Sequence, residues 1–183
     1  MHSICVFCGS SSGRNPVYAA AAQSLGTVFA EQGIGLVYGG GRVGLMGILA
    51  DAVLAAGGRV VGVIPQALAL REVAHAQLTE LHIVESMHER KALMADLSDG
   101  FIALPGGYGT LEEVCEAITW TQLRIHDKLC GLLNIGGYYD SLLGLFDQFV
   151  EEGFVRSEYR GIVLADTDPL RLLRAVLRAE LGA

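Results

Sequence analysis

Short apolar runs alternate along this chain with longer segments whose apolar residues recur at helical spacing. Ile4–Gly9 and Gly35–Gly39 are unbroken runs of apolar and small residues, the pattern of strands buried on both faces, and Pro16–Gln32 between them is an Ala-rich helix. Leu45–Ala56 predicts a helix and Arg59–Ile64 a strand stopped by Pro65. Gln66–Thr79 is weakly periodic and too polar for a core, so it reads as a loop with a short helix. Glu80–Val84 follows as a strand, and Ser86–Leu97 as a helix opening on the capping box Ser86-x-x-Glu89. Phe101–Pro105, Leu129–Ile135 and Ile162–Ala165 predict three more strands, interleaved with helices Thr110–Ile125, Tyr139–Glu152 and Pro169–Leu181, the last capped by Asp168. Strands separated by helices are the signature of βαβ units. The expected fold is one α/β domain spanning 1–183, a doubly wound parallel sheet of about seven strands with helices on both faces. No internal repeat, low-complexity tract or linker interrupts it.

Composition sharpens this picture in three ways. Hydrophobic residues make up 51% and charged residues 18%, against a usual charged share of about 25%, which excludes a disordered chain and suggests that a partner subunit covers some apolar surface. The formal charge of −7 comes without any basic run, so nucleic acid and anionic membranes are poor partners. No apolar stretch approaches the roughly 20 residues of a membrane span, and the start Met1-His2-Ser3-Ile4-Cys5 resembles no signal peptide. A soluble, cytoplasmic chain is expected. Cys5 and Cys8 would point to opposite faces of a strand, and the four cysteines read as small buried apolar side chains rather than metal or redox sites.

Glycine carries the functional signal, with 24 among 183 residues, nearly twice the usual share of about 7%. Three predicted strands end in glycine-rich turns: Gly9-Ser10-Ser11-Ser12-Gly13, then Gly39-Gly40-Gly41-Arg42-Val43-Gly44, then Gly106-Gly107-Tyr108-Gly109-Thr110. In doubly wound sheets ligands bind beyond the carboxyl ends of the strands, and such turns offer backbone N–H groups to an anion, most often phosphate. Gly9, Ser10, Gly39, Gly40, Gly41 and Gly44 are therefore candidate phosphate or nucleotide loops. Gly39, Gly41 and Gly44 fit G-x-G-x-x-G, but the next strand ends Val63-Ile64-Pro65-Gln66 without the carboxylate a dinucleotide ribose needs. A P-loop is excluded, since no Gly-Lys-Ser/Thr occurs.

Among charged residues, Glu113 stands out. Thr110-x-x-Glu113 is itself a capping box, which would place the carboxylate in the first turn of a helix and keep it ionised beside whatever the Pro105–Thr110 turn holds. Glu112 and Glu116, four apart, read as a solvated face. Arg90 and Lys91 are either ordinary surface cations of a helix or the basic half of a site, and spacing leaves that open. His88 reads as exposed, and His126 as a residue favoured in its charged form near a helix end.

Pro105-Gly106-Gly107-Tyr108-Gly109-Thr110-Leu111-Glu112-Glu113 resembles the P-G-G-x-G-T-x-x-E signature of the LONELY GUY (LOG) family, and Met87-His88-Glu89-Arg90-Lys91 resembles its second motif. The similarity runs from Cys5–Ser10 through Tyr38–Gly41, Gly44–Gly47, Ile118–Trp120 and Gly136–Tyr139 to Glu151–Phe154. The resemblance implies a Rossmann-like fold and hydrolysis of cytokinin riboside 5′-monophosphates, with AMP as a further substrate, to free base and ribose 5-phosphate. Members of the family have often been mislabelled as lysine decarboxylases. It further implies that Arg90 and Glu113 are the catalytic pair. Glu72, Lys91, Gly107, Tyr108, Gly109, Thr110, Leu111, Glu112 and Thr119 would then contact the substrate. The nucleotide would be the only small-molecule partner, no metal or other cofactor would be needed, and the chain would form homodimers. The dimer has independent support in the helix Thr110–Ile125, whose apolar residues surround more than one face. Two rivals differ in kind. A decarboxylase would need a pyridoxal-phosphate lysine, and only Lys91 and Lys128 exist. A nucleotide or cofactor carrier could use the same shell, but has no need of both Arg90 and Glu113.

Overall fold

A computed structural model describes residues 1–69 and 74–178. It contains β1 (Ser3–Phe7), α1 (Pro16–Glu31), β2 (Gly35–Tyr38), α2 (Gly44–Ala55), β3 (Val60–Pro65) and the short α3 (Gln66–Ala69). β4 (Glu80–Val84), α4 (Met87–Asp96), β5 (Gly100–Ala103) and α5 (Tyr108–Gln122) follow. The chain then continues through β6 (Cys130–Leu133), α6 (Asp140–Glu151), β7 (Val163–Asp166) and α7 (Pro169–Arg178). The seven strands form one sheet in the order β4-β3-β2-β1-β5-β6-β7, every pair parallel.

Alternate residues of each strand feed opposite layers, as the two-residue period requires. Ile4, Val6, Leu36 and Tyr38 face α1, α2 and α7, whereas Cys5, Phe7, Val37 and Phe101 face α4 and α5. The expected opposition of Cys5 and Cys8 is met, since they belong to different layers. Cys115 corrects the cysteine reading: it is exposed, while the other three are buried. Ser86 caps α4 as expected, its hydroxyl accepting from Glu89 N at 3.1 Å, and Glu89 accepts in return from Glu85 N at 2.9 Å. Asp168 accepts from Arg171 N at 2.8 Å to start α7.

The chain runs outward from β1 to β4, then returns to the other side of β1 for β5. The order reverses between β1 and β5, and a crevice opens there beyond the carboxyl ends. No helix among the described residues is long and apolar enough to cross a membrane.

Candidate active site

All three glycine-rich turns meet at this reversal, joined through Gly9. Its N–H donates to Pro105 O at 3.1 Å, and its carbonyl accepts from Leu45 N at 3.0 Å. Gly44 adopts φ +61°, and a Cβ there would lie 2.3 Å from the Ser10 carbonyl carbon. Of the second-turn glycines, Gly39 reaches the cleft described below; Gly44 packs that turn against the first, and the Gly40 carbonyl accepts from His75 N at 3.1 Å. The third turn is held from outside by two tyrosines. Tyr139 donates to Leu104 O at 2.6 Å and Tyr138 to Gly106 O at 2.5 Å.

The cleft so formed has a volume of about 330 Å³, the low end of the range for small-ligand sites. Ser10, Gly39, the Gly107–Thr110 segment, Arg90, Glu112 and Glu113 supply its polar lining. Val6, Cys8, Met46, Leu68 and Met87 supply an apolar wall that the sequence did not single out. Gly9, Ser10 and Gly107 also line an adjoining hollow of about 260 Å³ against Tyr18 and Tyr138.

Arg90 is a buried cation, 6% exposed, which settles against the surface-helix alternative. Its Nε donates to Val63 O at 3.1 Å and one Nη to Gly39 O at 3.3 Å. The other Nη lies 3.9 Å from Glu113 Oε1. A guanidinium tied down at two donors presents the remaining edge in a fixed direction, which a lysine could not do. The Glu113 side chain is only 12% exposed, so this pair interacts with little solvent screening. Burial, and then the charge of Glu113, raise the thiol pKa of Cys8 well above its usual range, with Arg90 opposing. Cys8 is therefore a neutral wall residue rather than a nucleophile.

The local reason for Glu113's position differs from the expected one. α5 begins at Tyr108 on a Gly107 cap without a side-chain bond, so Thr110 and Glu113 do not form a capping box. Thr110 is a third-position residue whose Oγ1 sits where a Cβ on Gly106 would be, 2.0 Å away. Glu113 lies in the second turn, beyond the strongest reach of the helix dipole, and Arg90 is the charge beside it.

Glu112 is exposed, as expected, and Glu116 partly so, but both are paired with Lys91. Lys91 Nζ donates to Glu112 Oε1 at 2.5 Å and lies 3.1 Å from Glu116 Oε2. Burial alone would lower the pKa of Lys91, but these two carboxylates outweigh it and hold it above the ordinary lysine value. Lys91 does not line the cleft. Leu111 is half-exposed, and Thr119 donates to Cys115 O at 2.7 Å on a separate groove between α5 and α6. Glu72 lies outside the described residues. His88 is exposed, as expected. The pKa of His126 is lowered, first by burial and then by the charge of Lys128, which corrects the expectation that its charged form is favoured.

A family model described as "Possible lysine decarboxylase" matches residues 46–176. The probable cytokinin riboside 5′-monophosphate phosphoribohydrolase LOGL1 of Oryza sativa subsp. japonica is 56% identical over 171 residues, covering 93% of this chain and 77% of that protein. The cytokinin riboside 5′-monophosphate phosphoribohydrolase LOG1 of Arabidopsis thaliana is 53% identical over 171 residues, covering 93% and 80%. Among solved structures, the molybdenum cofactor carrier protein of Chlamydomonas reinhardtii superposes with a TM-score of 0.75 over 99% of both chains, at 21% identity. That likeness concerns the fold alone.

Proposed function

The chain belongs to the LOG family of cytokinin riboside 5′-monophosphate phosphoribohydrolases, and from that premise we propose how it works. It is a hydrolase of the N-glycosidic bond in cytokinin riboside 5′-monophosphates, and AMP is a second substrate. The reading is carried by one observation: the buried Arg90 guanidinium facing Glu113 in a cleft otherwise lined by backbone and apolar groups.

Cleavage breaks the bond between C1′ and the base nitrogen, and the electron pair leaves with the base. Positive charge builds on the ribose ring, and the ionised Glu113 is the carboxylate that stabilises it and orients the attacking water. Water adds its oxygen to C1′, giving ribose 5-phosphate, and its displaced proton ends on the base. Arg90 stays protonated throughout; it holds Glu113 and the nucleotide in register and is no general base. The 5′-phosphate is taken by the unpaired first-turn N–H groups of α5 at Gly107, Tyr108, Gly109 and Thr110, with Ser10 and Gly39 opposite. The base lies against Met46, Leu68 and Met87.

The protein works in the cytoplasm as a homodimer. None of the α6 residues is fully buried: Leu142, Leu143 and Phe146 pack against the core only in part, and Leu145 is 44% exposed. Phe154, Leu123 and Ile125 are 83%, 64% and 62% exposed nearby. A second copy covering this surface would also bring Thr119 and Leu111 to a nucleotide, which explains how residues off the cleft could contact substrate. Light scattering should give about twice the chain mass of 19.4 kDa, and a fully active monomer would refute the pairing.

The decisive experiment incubates the protein with AMP, N6-prenylated AMP and the matching nucleosides, and measures free base and ribose 5-phosphate. Release from the nucleotides with little from the nucleosides is expected. Equal turnover of both would sink the phosphate-anchor argument, and no release from any would refute the hydrolase reading.

A further inference from the structure

The run Gly136-Gly137-Tyr138-Tyr139 has no part in the chemistry above, yet it reaches the third glycine-rich turn. Gly136 and Gly137 adopt φ +63° and +72°, which bends the chain back toward the sheet edge. Asn134 holds the bend, its Oδ1 accepting from Tyr139 N and its Nδ2 donating to Asp140 Oδ1, both at 2.7 Å. Three successive carbonyls of the third turn are then taken from three places. Leu104 O accepts from the Tyr139 hydroxyl at 2.6 Å, Pro105 O from Gly9 N at 3.1 Å and Gly106 O from the Tyr138 hydroxyl at 2.5 Å.

In a trans peptide the C=O and the following N–H share one rigid plane and point opposite ways, so fixing a carbonyl fixes the next donor. Leu104 O fixes no donor, because Pro105 has no N–H. Gly106 O fixes the N–H of Gly107. This plane is also the one its own residues hold least. Glycine on both sides lets it turn over, carrying Gly107 from φ −97° to a positive φ. Gly107 borders the cleft, whereas Tyr138 borders the adjoining hollow and not the cleft. We propose that Tyr138 is a positioning residue: it keeps the Gly106 carbonyl turned outward, so that the Gly107 N–H meets the 5′-phosphate. Turned over, the plane would aim a carbonyl oxygen at the phosphate instead. The hydroxyl has one proton and gives it to Gly106 O, so Tyr138 is not itself a phosphate donor. The proposal rests on the phosphoribohydrolase reading of the cleft.

Tyr138→Phe removes the hydroxyl and keeps the ring against Tyr18 and Tyr139, whose centroids lie 5.6 Å and 5.1 Å away. KM for AMP should rise about threefold to tenfold, the worth of one neutral hydrogen bond. The kcat should stay within about twofold, since the phosphate is gripped alike before and during the reaction. In a Glu113→Gln background, calorimetry should show the same loss for AMP and none for adenosine. An unchanged KM, or an equal loss for adenosine, would overturn the proposal. Gly107→Ala tests the mechanism. A Cβ there meets open space, and alanine resists positive φ, so it holds the plane without help from Tyr138. Tyr138→Phe should therefore cost less than about twofold when added to Gly107→Ala, however much that change costs by itself. A full, additive loss would make the hydroxyl a direct phosphate ligand and overturn the proposal. If Gly107→Ala abolishes AMP binding, or the unaltered protein releases no base and the function reading fails, the amide NMR signal of Gly107 decides with AMP as the probe. A signal that AMP moves in the unaltered protein but moves less in Tyr138→Phe supports the proposal. One moved equally in both, or in neither, overturns it.

Discussion

Gly39→Ala probes the arrangement of Arg90 without touching any charged group. The backbone there is one that alanine accepts, but its Cβ would fall 2.0 Å from an Arg90 Nη, 3.2 Å from Cζ and 3.4 Å from Met46 Sδ. Restoring even a tight contact of about 3.0 Å requires the guanidinium to move by roughly 1 Å. That movement breaks the bond to Gly39 O and strains the one to Val63 O, because both bonds hold the same rigid group. A hydrogen bond from a charged donor is worth about 1.5–3 kcal/mol, and the lower entropy of an unfolded alanine returns about 0.4–1 kcal/mol. The net loss of stability is about 1–2 kcal/mol, or a Tm lower by about 2–8 °C for a chain of this size. Activity should suffer far more. A 1 Å misplacement of a positioning group costs about 100-fold, so kcat/KM for base release from AMP should fall by that factor while most of the protein stays folded. Activity within about twofold of the parent would show that Arg90 relaxes freely or does no positioning, and the reasoning about its fixed edge would be wrong.

Three further outcomes follow from the same geometry. Glu113→Gln should cut kcat about 100-fold or more and also lower Tm, because the buried Arg90 charge loses its carboxylate; a fall in Tm with activity retained would reverse its role. Ser86→Ala removes the bond to Glu89 N and should cost about 1 kcal/mol, whereas Ser86→Asp should retain most of it; equal melting of all three proteins would discount the cap. His126 has a folded-state pKa below the ordinary value of 6.5, so the unfolded chain binds a proton that the folded one resists. Its contribution to stability is complete above pH 6.5 and is lost as the pH falls from there toward the folded-state pKa, so His126→Gln should flatten the Tm profile between pH 7.5 and 5.

Much of the fold was legible because its signals are local. Most strands are short apolar runs, several closed by glycine or proline, and the helices between them show their own period, so the element order and the seven parallel strands were as expected. The meeting of the three turns was legible too, since strand ends in a doubly wound sheet share an edge. The state of Arg90 was not, because the groups that bury it, Val63 O and Gly39 O, lie 27 and 51 residues away and are backbone atoms with no sequence signature. For Glu113 a local rule misled. Thr-x-x-Glu is a sound helix start, but the Gly107 backbone had already begun α5. The pairing of Lys91 with Glu112 and Glu116 was not legible, because nothing in the chain order sets α4 beside α5; the two carboxylates were read as a solvated face and Lys91 was left open.

Burial of Arg90 also bears on why this shell serves a hydrolase. A phosphate can be held by N–H groups at the start of a helix without any buried charge, and a carrier needs no more. Placing a guanidinium in the interior forfeits hydration worth several kcal/mol, which two carbonyls and a carboxylate at 3.9 Å only partly restore. A well-packed apolar residue in its place would serve stability as well or better. The charge is useful where a reaction develops charge of its own, beside a ribose turning cationic, with the carboxylate that meets it held from the opposite side. On that argument Arg90→Met should give a protein at least as stable as the parent once Glu113 is also neutralised to Gln, yet without measurable base release. A double variant markedly less stable than Glu113→Gln alone would show that Arg90 is there for the fold.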